Sequence, residues 1–170
     1  MKSLFLLSII FLFTSSTFGQ TIVDVAKTQK TVKTGSEITI FEAKPLTGYL
    51  TENYPNGKQK SWITMKEGFA NGLWQEWYEN GQLKYSAFWL DGKGHGSWKY
   101  FHENGRLRQD DFYDMDIPIG LFFVYYDNGQ LKSKGGYLKG KKQGIWEYHN
   151  ENGTLQKLEN YNDGKLIGNE

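Results

Sequence analysis

Residues 78–101 read YENGQLKYSAFWLDGKGHGSWKYF, and the pattern recurs along the chain every 24 residues. Its Asn80-Gly81 dipeptide is one of five, with Asn56-Gly57, Asn104-Gly105, Asn128-Gly129 and Asn152-Gly153. Another glycine keeps the same step at Gly48, Gly72, Gly96, Gly120, Gly144 and Gly168. A third series reads Gly68, Gly92, Asp116, Gly140, Gly164, and an aromatic series reads Trp74, Trp98, Phe122, Trp146. Self-similarity at a fixed period of this size marks a tandem repeat architecture.

Each copy predicts two strands. Asn-Gly between alternating runs signals a hairpin with a two-residue type I′ turn, which needs positive φ at both central residues. The stretch Asp91-Gly-Lys-Gly-His-Gly96 predicts a second, looser turn. Dense Trp, Tyr and Phe favour strand, and the glycines weaken any helix. The fold class is therefore all-β: tandem 24-residue β-hairpins forming an elongated, twisted antiparallel single sheet. With strands about 4.8 Å apart, each copy advances the sheet by roughly 10 Å.

Counting outward from a two-residue Asn80-Gly81 turn pairs Tyr78 with Leu83, Trp74 with Ala87 and Gly72 with Trp89. The same count gives Gly96–Tyr113, Gly120–Tyr137 and Gly144–Tyr161. Each of these glycines then lies opposite a ring that covers its backbone. This face also receives Leu83, Leu107, Leu131 and Leu155 beside Trp74, Trp98, Phe122 and Trp146, and it is the expected packed face. The other face sets Trp77 against Lys84, Phe101 against Arg108 and Tyr125 against Lys132, with Glu103–Arg106 and Lys99–Asp110 alongside. Such aromatic–cation contacts are worth roughly 0.5–1 kcal/mol each at exposed sites. The assignment holds only if no β-bulge shifts the register by one.

The ends differ from the repeat. Met1-Lys2-Ser3 precedes an apolar run from Leu4 to Phe13 and small or polar residues up to Gly19. That order reads as a secretory signal peptide over 1–19, and the run is too short for a spanning helix. An uncleaved anchor is the other reading. Residues 20–39 form a lead-in or cap, either a short strand or a mobile segment. Residues 40–170 form the repeat domain, opening with a partial copy at 40–56. The chain carries 20 basic and 19 acidic residues, so losing Lys2 leaves 19 of each. A net charge near zero argues against a nucleic-acid partner and disfavours a membrane surface. The sequence has no cysteine, which excludes disulfides, thiolate metal sites and a cysteine nucleophile. The expected location is exported, periplasmic or secreted.

The segment Phe88-Trp-Leu-Asp-Gly-Lys-Gly-His-Gly-Ser-Trp98 resembles a MORN repeat. The tandem Tyr-x-Asn-Gly-x-Leu-Lys with Gly-x-Trp resembles the bacterial variant of that repeat, and residues 125–148 carry it most fully. The resemblance covers about residues 41–168. It implies stacked β-hairpins in an elongated sheet and a binding role rather than a reaction. Some bacterial proteins of this variant are classed as antitoxin or immunity partners of polymorphic toxins. Eukaryotic MORN proteins are linked to membranes, phosphoinositides and protein scaffolding.

No motif for chemistry stands out. Gly135-Gly-Tyr-Leu-Lys-Gly-Lys-Lys142 approaches a phosphate-binding loop but lacks the Ser/Thr that would hold magnesium, and no helix pattern follows. His95, His102 and His149 do not converge by spacing as metal ligands must. No carboxylate pair suggests glycosidase chemistry. The expectation is a non-enzymatic protein with no cofactor that binds another protein, as a scaffold or antitoxin-like partner. The alternative is binding of lipid headgroups or cell-envelope glycans through the aromatic–cation face. The candidate partner-binding residues are Trp77, Phe101, Tyr125, Lys84, Arg108 and Lys132, which also read as a solvated face stiffened by cross-strand pairs. Ile117, Pro118 and Ile119 complete the set, as an apolar loop in the deviant third copy that marks a contact or tucks over the sheet edge.

Overall fold

The computed structural model describes residues 21–24, 28–33, 36–41 and 44–169. The signal-peptide expectation for 1–19 lies outside these residues. Among the described residues every element is a strand, in the order β1 (Thr21–Asp24), β2 (Gln29–Lys33), β3 (Ser36–Phe41), β4 (Lys44–Pro45), β5 (Gly48–Asn53), β6 (Gln59–Lys66), β7 (Phe69–Trp77), β8 (Leu83–Leu90), β9 (Lys93–Phe101), β10 (Leu107–Asp114), β11 (Ile117–Tyr125), β12 (Leu131–Leu138), β13 (Lys141–His149), β14 (Leu155–Asn162) and β15 (Lys165–Asn169). A 12-stranded sheet runs β1-β5-β6 and then in chain order to β15. All of its pairs are antiparallel except β1, which lies parallel to β5 from Thr21↔Gly48 to Asp24↔Thr51. The repeat domain is one long, twisted, open sheet of successive hairpins, as the 24-residue count predicts. Beside it stands a 3-stranded sheet, β2-β3-β4, so the described residues of the lead-in other than Thr28 are strand.

The two turns of each copy exchange the roles expected of them. The tight two-residue turn is Asp91-Gly92, with φ of 48° and 78° between the paired residues Leu90 and Lys93. The Asn-Gly site is a three-residue loop instead. Gly81 N–H donates to the Tyr78 carbonyl at 2.9 Å, and Tyr78 N–H donates to the Gln82 carbonyl at 2.8 Å. Among these residues only Gly81 has positive φ, so Asn80 keeps an ordinary conformation and its Oδ1 accepts from Gln82 N–H at 2.8 Å. This is a type I turn closed by a left-handed glycine.

The loop brings a bulge with it. Beyond it Trp77 pairs with Leu83 and Glu76 with Tyr85, so Lys84 is left without a partner across the pair. Arg108 and Lys132 sit at the same irregularity in later copies. A one-residue bulge moves the following side chains to the other face. Leu83, Leu107 and Leu131 therefore lie on the Trp77, Phe101 and Tyr125 side, not beside Trp74 as counted. Beyond the bulge the counted register holds: Gly72↔Trp89, Gly96↔Tyr113, Gly120↔Tyr137 and Gly144↔Tyr161 are all paired. On their other flank these glycines sit in a second bulge, where for example Ile63↔Trp74 is followed by Met65↔Ala70. Their φ values of 71° to 111° supply a reason for glycine that ring cover alone does not.

Side chains and turns tie copy to copy. The hydroxyls of Tyr54, Tyr78 and Tyr126 and the ring of His102 reach the carbonyls of Trp77, Phe101, His149 and Tyr125 respectively, at 2.7 to 3.0 Å. Asn80, Asn104 and Asn128 donate their Nδ2 to carbonyls in the next copy at 2.8 to 2.9 Å. At the opposite rim Gly92, Gly140 and Gly164 donate N–H to carbonyls of Ala70, Pro118 and Lys142 at 2.8 to 3.0 Å. In the deviant copy the turn is Met115-Asp116, with φ of 50° and 73°. Asp116 keeps the bond to the Gly94 carbonyl, and its carboxylate accepts the Gly94 N–H at 2.7 Å. Ile117, Pro118 and Ile119 are consequently strand residues of β11, not an apolar loop.

Among the described residues, a packed core forms at the N-terminal end. Val23, Leu46, Leu50, Ile63 and Met65 are buried together, with Phe41, Ala70 and Trp74 against them. Elsewhere the sheet relies on close packing within its own surface. A Cβ on Gly135 would overlap the ring of Trp146, which is 2% exposed. Gly135→Ala should lower the unfolding free energy in urea by about 1–3 kcal/mol, with part recovered when Trp146 is also replaced by Phe. Full stability of the single variant would contradict this packing.

Candidate functional site

The register assigns two faces to the ribbon. One carries Trp74, Tyr85, Trp89, Trp98, Tyr100, Tyr113, Phe122, Tyr137, Trp146, Tyr148 and Tyr161. Ring centroids step along it at 5.3 Å from Trp74 to Trp89, 5.0 Å to Trp98 and 4.6 Å to Tyr113. A second run links Phe122 to Trp146 at 5.6 Å and Tyr137 to Trp146 at 5.2 Å. Burial pushes the phenols of Tyr85 and Tyr113 upward in pKa, so both stay neutral donors.

Cations meet rings on this face rather than the one expected. The Arg108 guanidinium lies over Tyr100 at 5.4 Å and Lys132 over Tyr126 at 5.3 Å. Lys142 sits over Trp146 at 4.1 Å and Tyr161 at 4.6 Å, and burial lowers its pKa. Lys84 pairs with Glu76 at 3.4 Å. The Trp77–Lys84, Phe101–Arg108 and Tyr125–Lys132 pairs do not form, because the bulge turns each cation away from that ring. Trp77, Phe101 and Tyr125 instead offer their carbonyls to the preceding copy. Nor does Glu103 face Arg106, since His102 N–H donates to the Arg106 carbonyl at 2.8 Å. The Lys99–Asp110 pair does form, at 2.6 Å.

The third copy interrupts the aromatic face. Asp111 occupies the place held by Ala87 before it and Gly135 after it, and is 2% exposed between Trp98 and Phe122. Its Oδ2 accepts from Gln109 Nε2 at 3.0 Å, while Oδ1 is buried without a hydrogen-bond partner. Burial pushes this carboxyl above the ordinary range against the opposing pull of Gln109 and Tyr113. One row over, Gln109 and Val124 stand where Tyr85 and Tyr100 stand one copy earlier. The missing rings leave a cleft of about 500 Å³ lined by His102, Arg108, Gln109, Val124, Tyr125, Tyr126, Asp127 and Lys132. It gathers three of the sequence-predicted residues, Arg108, Tyr125 and Lys132. Trp77, Lys84, Phe101 and the Ile117–Ile119 segment lie outside it. Stepping by 24 residues places Gln109 and Val124 in the columns of Tyr85 and Tyr100, and Asp111 in the column of Ala87 and Gly135, but those columns vary from copy to copy and carry no motif.

The opposite face carries uncovered apolar side chains. Leu73 pairs with Phe88, Phe112 with Ile119, and Leu121 and Ile145 continue the row. Leu73, Phe88, Phe112, Leu121 and Ile145 are 41% to 63% exposed. Ile117 and Ile119 add to this surface, whereas Pro118 pairs with Tyr113 on the aromatic side. Among the described residues no three His, Asp or Glu side chains gather as metal ligands would.

Asp111 yields a signed expectation. The folded chain holds its proton more tightly than the unfolded chain. That contribution is complete below the unfolded carboxylate range, near pH 4, and is lost as pH rises through the raised folded value. Asp111→Ala, which restores the residue of the preceding copy, should stabilise the protein by about 1–3 kcal/mol near pH 7. In thermal melts the gain should shrink toward about pH 4. A gain that grows on acidification would contradict a buried carboxyl with one unsatisfied oxygen.

A comparison with protein families matches the model described as MORN repeat variant to residues 70–91, 94–115, 118–139 and 142–163. Comparison with curated proteins finds no match. Each matched segment is one hairpin, from the strand before an Asn-Gly loop to the first residue of the next two-residue turn. β5 and β6 repeat the same loop geometry ahead of the matched region, with Tyr54 N–H on the Lys58 carbonyl at 2.8 Å and Gly57 N–H on the Tyr54 carbonyl at 2.9 Å. Four tandem matches spanning more than half of the 170 residues place this chain in the MORN repeat variant family.

Proposed function

We propose that this is an exported, non-enzymatic repeat protein that binds another protein along its sheet, as a scaffold or in an antitoxin- or immunity-like role. Membership of the family suggests a repeat-based binding protein. The observation that carries the finer reading is the uncovered apolar row Leu73, Phe88, Phe112, Leu121 and Ile145. Exposed apolar surface of this kind, rimmed by charge, marks interaction sites. Lys99–Asp110 and Lys134–Glu147, at 2.6 and 3.0 Å, supply such a rim. Repeat sheets offer long surfaces of this sort to extended partners. Export rests on the order of residues in 1–19.

Glycan binding through the aromatic face is the second reading, favoured by the indole run Trp74, Trp89, Trp98. The two readings separate by face. With the tagged chain as bait in its native cells, a discrete protein should be retained and identified by mass. Phe112→Lys with Leu121→Lys should reduce that retention by roughly tenfold, about 1.4 kcal/mol, while the melting temperature stays close to the parent. Retention of cell-wall polysaccharide alone, or a protein captured equally by the double variant, would defeat the reading.

A further inference from the structure

The cation at the loop bulge recurs in four copies as Lys60, Lys84, Arg108 and Lys132, and its surroundings do not. In the first two copies the residue eight positions earlier is Glu52 or Glu76, which pairs with the cation at 2.8 or 3.4 Å. In the next two that residue is Tyr100 or Val124. Among the described residues no carboxylate lies within ion-pair distance of Arg108 or Lys132. Both line the same cleft, where Gln109 and Val124 stand in place of the Tyr85 and Tyr100 rings of the preceding copy. Each of these two cations lies over a ring, Tyr100 or Tyr126, with no carboxylate to neutralise it, beside open space.

We infer that this cleft receives a carboxylate side chain of the partner protein, held between Arg108 and Lys132. This rests on the reading of the chain as a protein binder and adds where an acidic residue of the partner docks. The guanidinium presents a planar fork that matches a carboxylate, and Lys132 adds a point charge from the neighbouring copy. Tyr126 and Val124 supply a ring and an apolar wall for the stem of a Glu or Asp. The His102 ring is fixed by the Tyr125 carbonyl at 3.0 Å, and Gln109 is held by Asp111 at 3.0 Å. Asp127 also lines the cleft, so the local excess of positive charge is small. That excess suits one carboxylate rather than a polyanion. The equal totals of acidic and basic residues beyond position 19 provide no broad field for a nucleic acid or an anionic membrane.

The test uses the purified full chain and two pools of short peptides, identical except that Asp and Glu in one are Asn and Gln in the other. The acidic pool should bind, and the neutral pool should bind roughly tenfold more weakly. Arg108→Gln with Lys132→Gln should abolish that preference. Lys60→Gln with Lys84→Gln, where the cations already have carboxylate partners, should leave it intact. Captured partner should likewise be lost from the Arg108/Lys132 variant at an unchanged melting temperature. Equal binding of both pools, or an acidic preference that survives Arg108→Gln with Lys132→Gln, would overturn the inference. So would Arg108- and Lys132-dependent retention on phosphatidylglycerol vesicles, or of inorganic phosphate, without peptide binding. If the Arg108/Lys132 variant keeps the partner and the Phe112/Leu121 variant loses it, the cleft assignment fails and the protein-binding reading stands. If the parent chain retains no protein, the protein-binding reading itself fails.

Discussion

Two bulges per copy set the position of every other side chain in this ribbon. The first follows the Asn-Gly loop and ejects a cation from the pairing, as at Lys84 between Leu83 and Tyr85. The second sits at Gly72, Gly96, Gly120 and Gly144, where positive φ lets the strand bend without a side chain in the way. Extra residues in one strand increase local twist, and their repetition at a constant step gives the sheet its regular form. The first bulge decides which face receives charge. The second leaves the Trp and Tyr rings crowded on one surface and the leucines on the other.

The hairpin count, the antiparallel order and the four glycine–aromatic pairs were legible in the sequence, because a strict period transmits any correct local pairing to every copy. The turn type was not. Asn-Gly serves both a two-residue turn with two positive φ values and a three-residue loop with one, and the letters are the same. Choosing the shorter loop put Lys84, Arg108 and Lys132 opposite the wrong rings and placed the Leu83 series on the wrong face. Asp116 shows the converse: without glycine there, Ile117-Pro118-Ile119 read as an apolar loop, whereas Met115-Asp116 forms the turn and β11 begins at Ile117. The Asp116 carboxylate compensates by binding the Gly94 N–H, and no residue count shows that bond. Asp111 escaped for a different reason, since a carboxylate in a strand reads as a solvated position until its neighbours are known.

The two ends of the molecule are physically unlike. At β5 and β6 the sheet has a cover, and Val23, Leu46, Leu50, Ile63 and Met65 exclude water together. Trp74 of β7 still packs against that core, and beyond it the rings pack against one another. The first copies therefore supply long-range burial, and the later ones depend on nearest neighbours, as in other linear repeats. The third copy departs most from the pattern. It lies within the matched region with a regular hairpin on each side, so its buried acid and open cleft are flanked by intact copies.

The rim bonds imply a rule for how such a chain grows. Each two-residue turn holds the strand 22 residues behind it, as Gly92 holds Ala70, and each loop tyrosine or histidine holds a carbonyl 23 residues ahead, as Tyr78 holds Phe101. Adding or removing a whole copy leaves every such bond with a partner of the same kind. Adding a single residue misaligns them on both rims at once. Length can therefore vary only in complete copies, and new chemistry must arise by substitution within a copy whose outline stays the same.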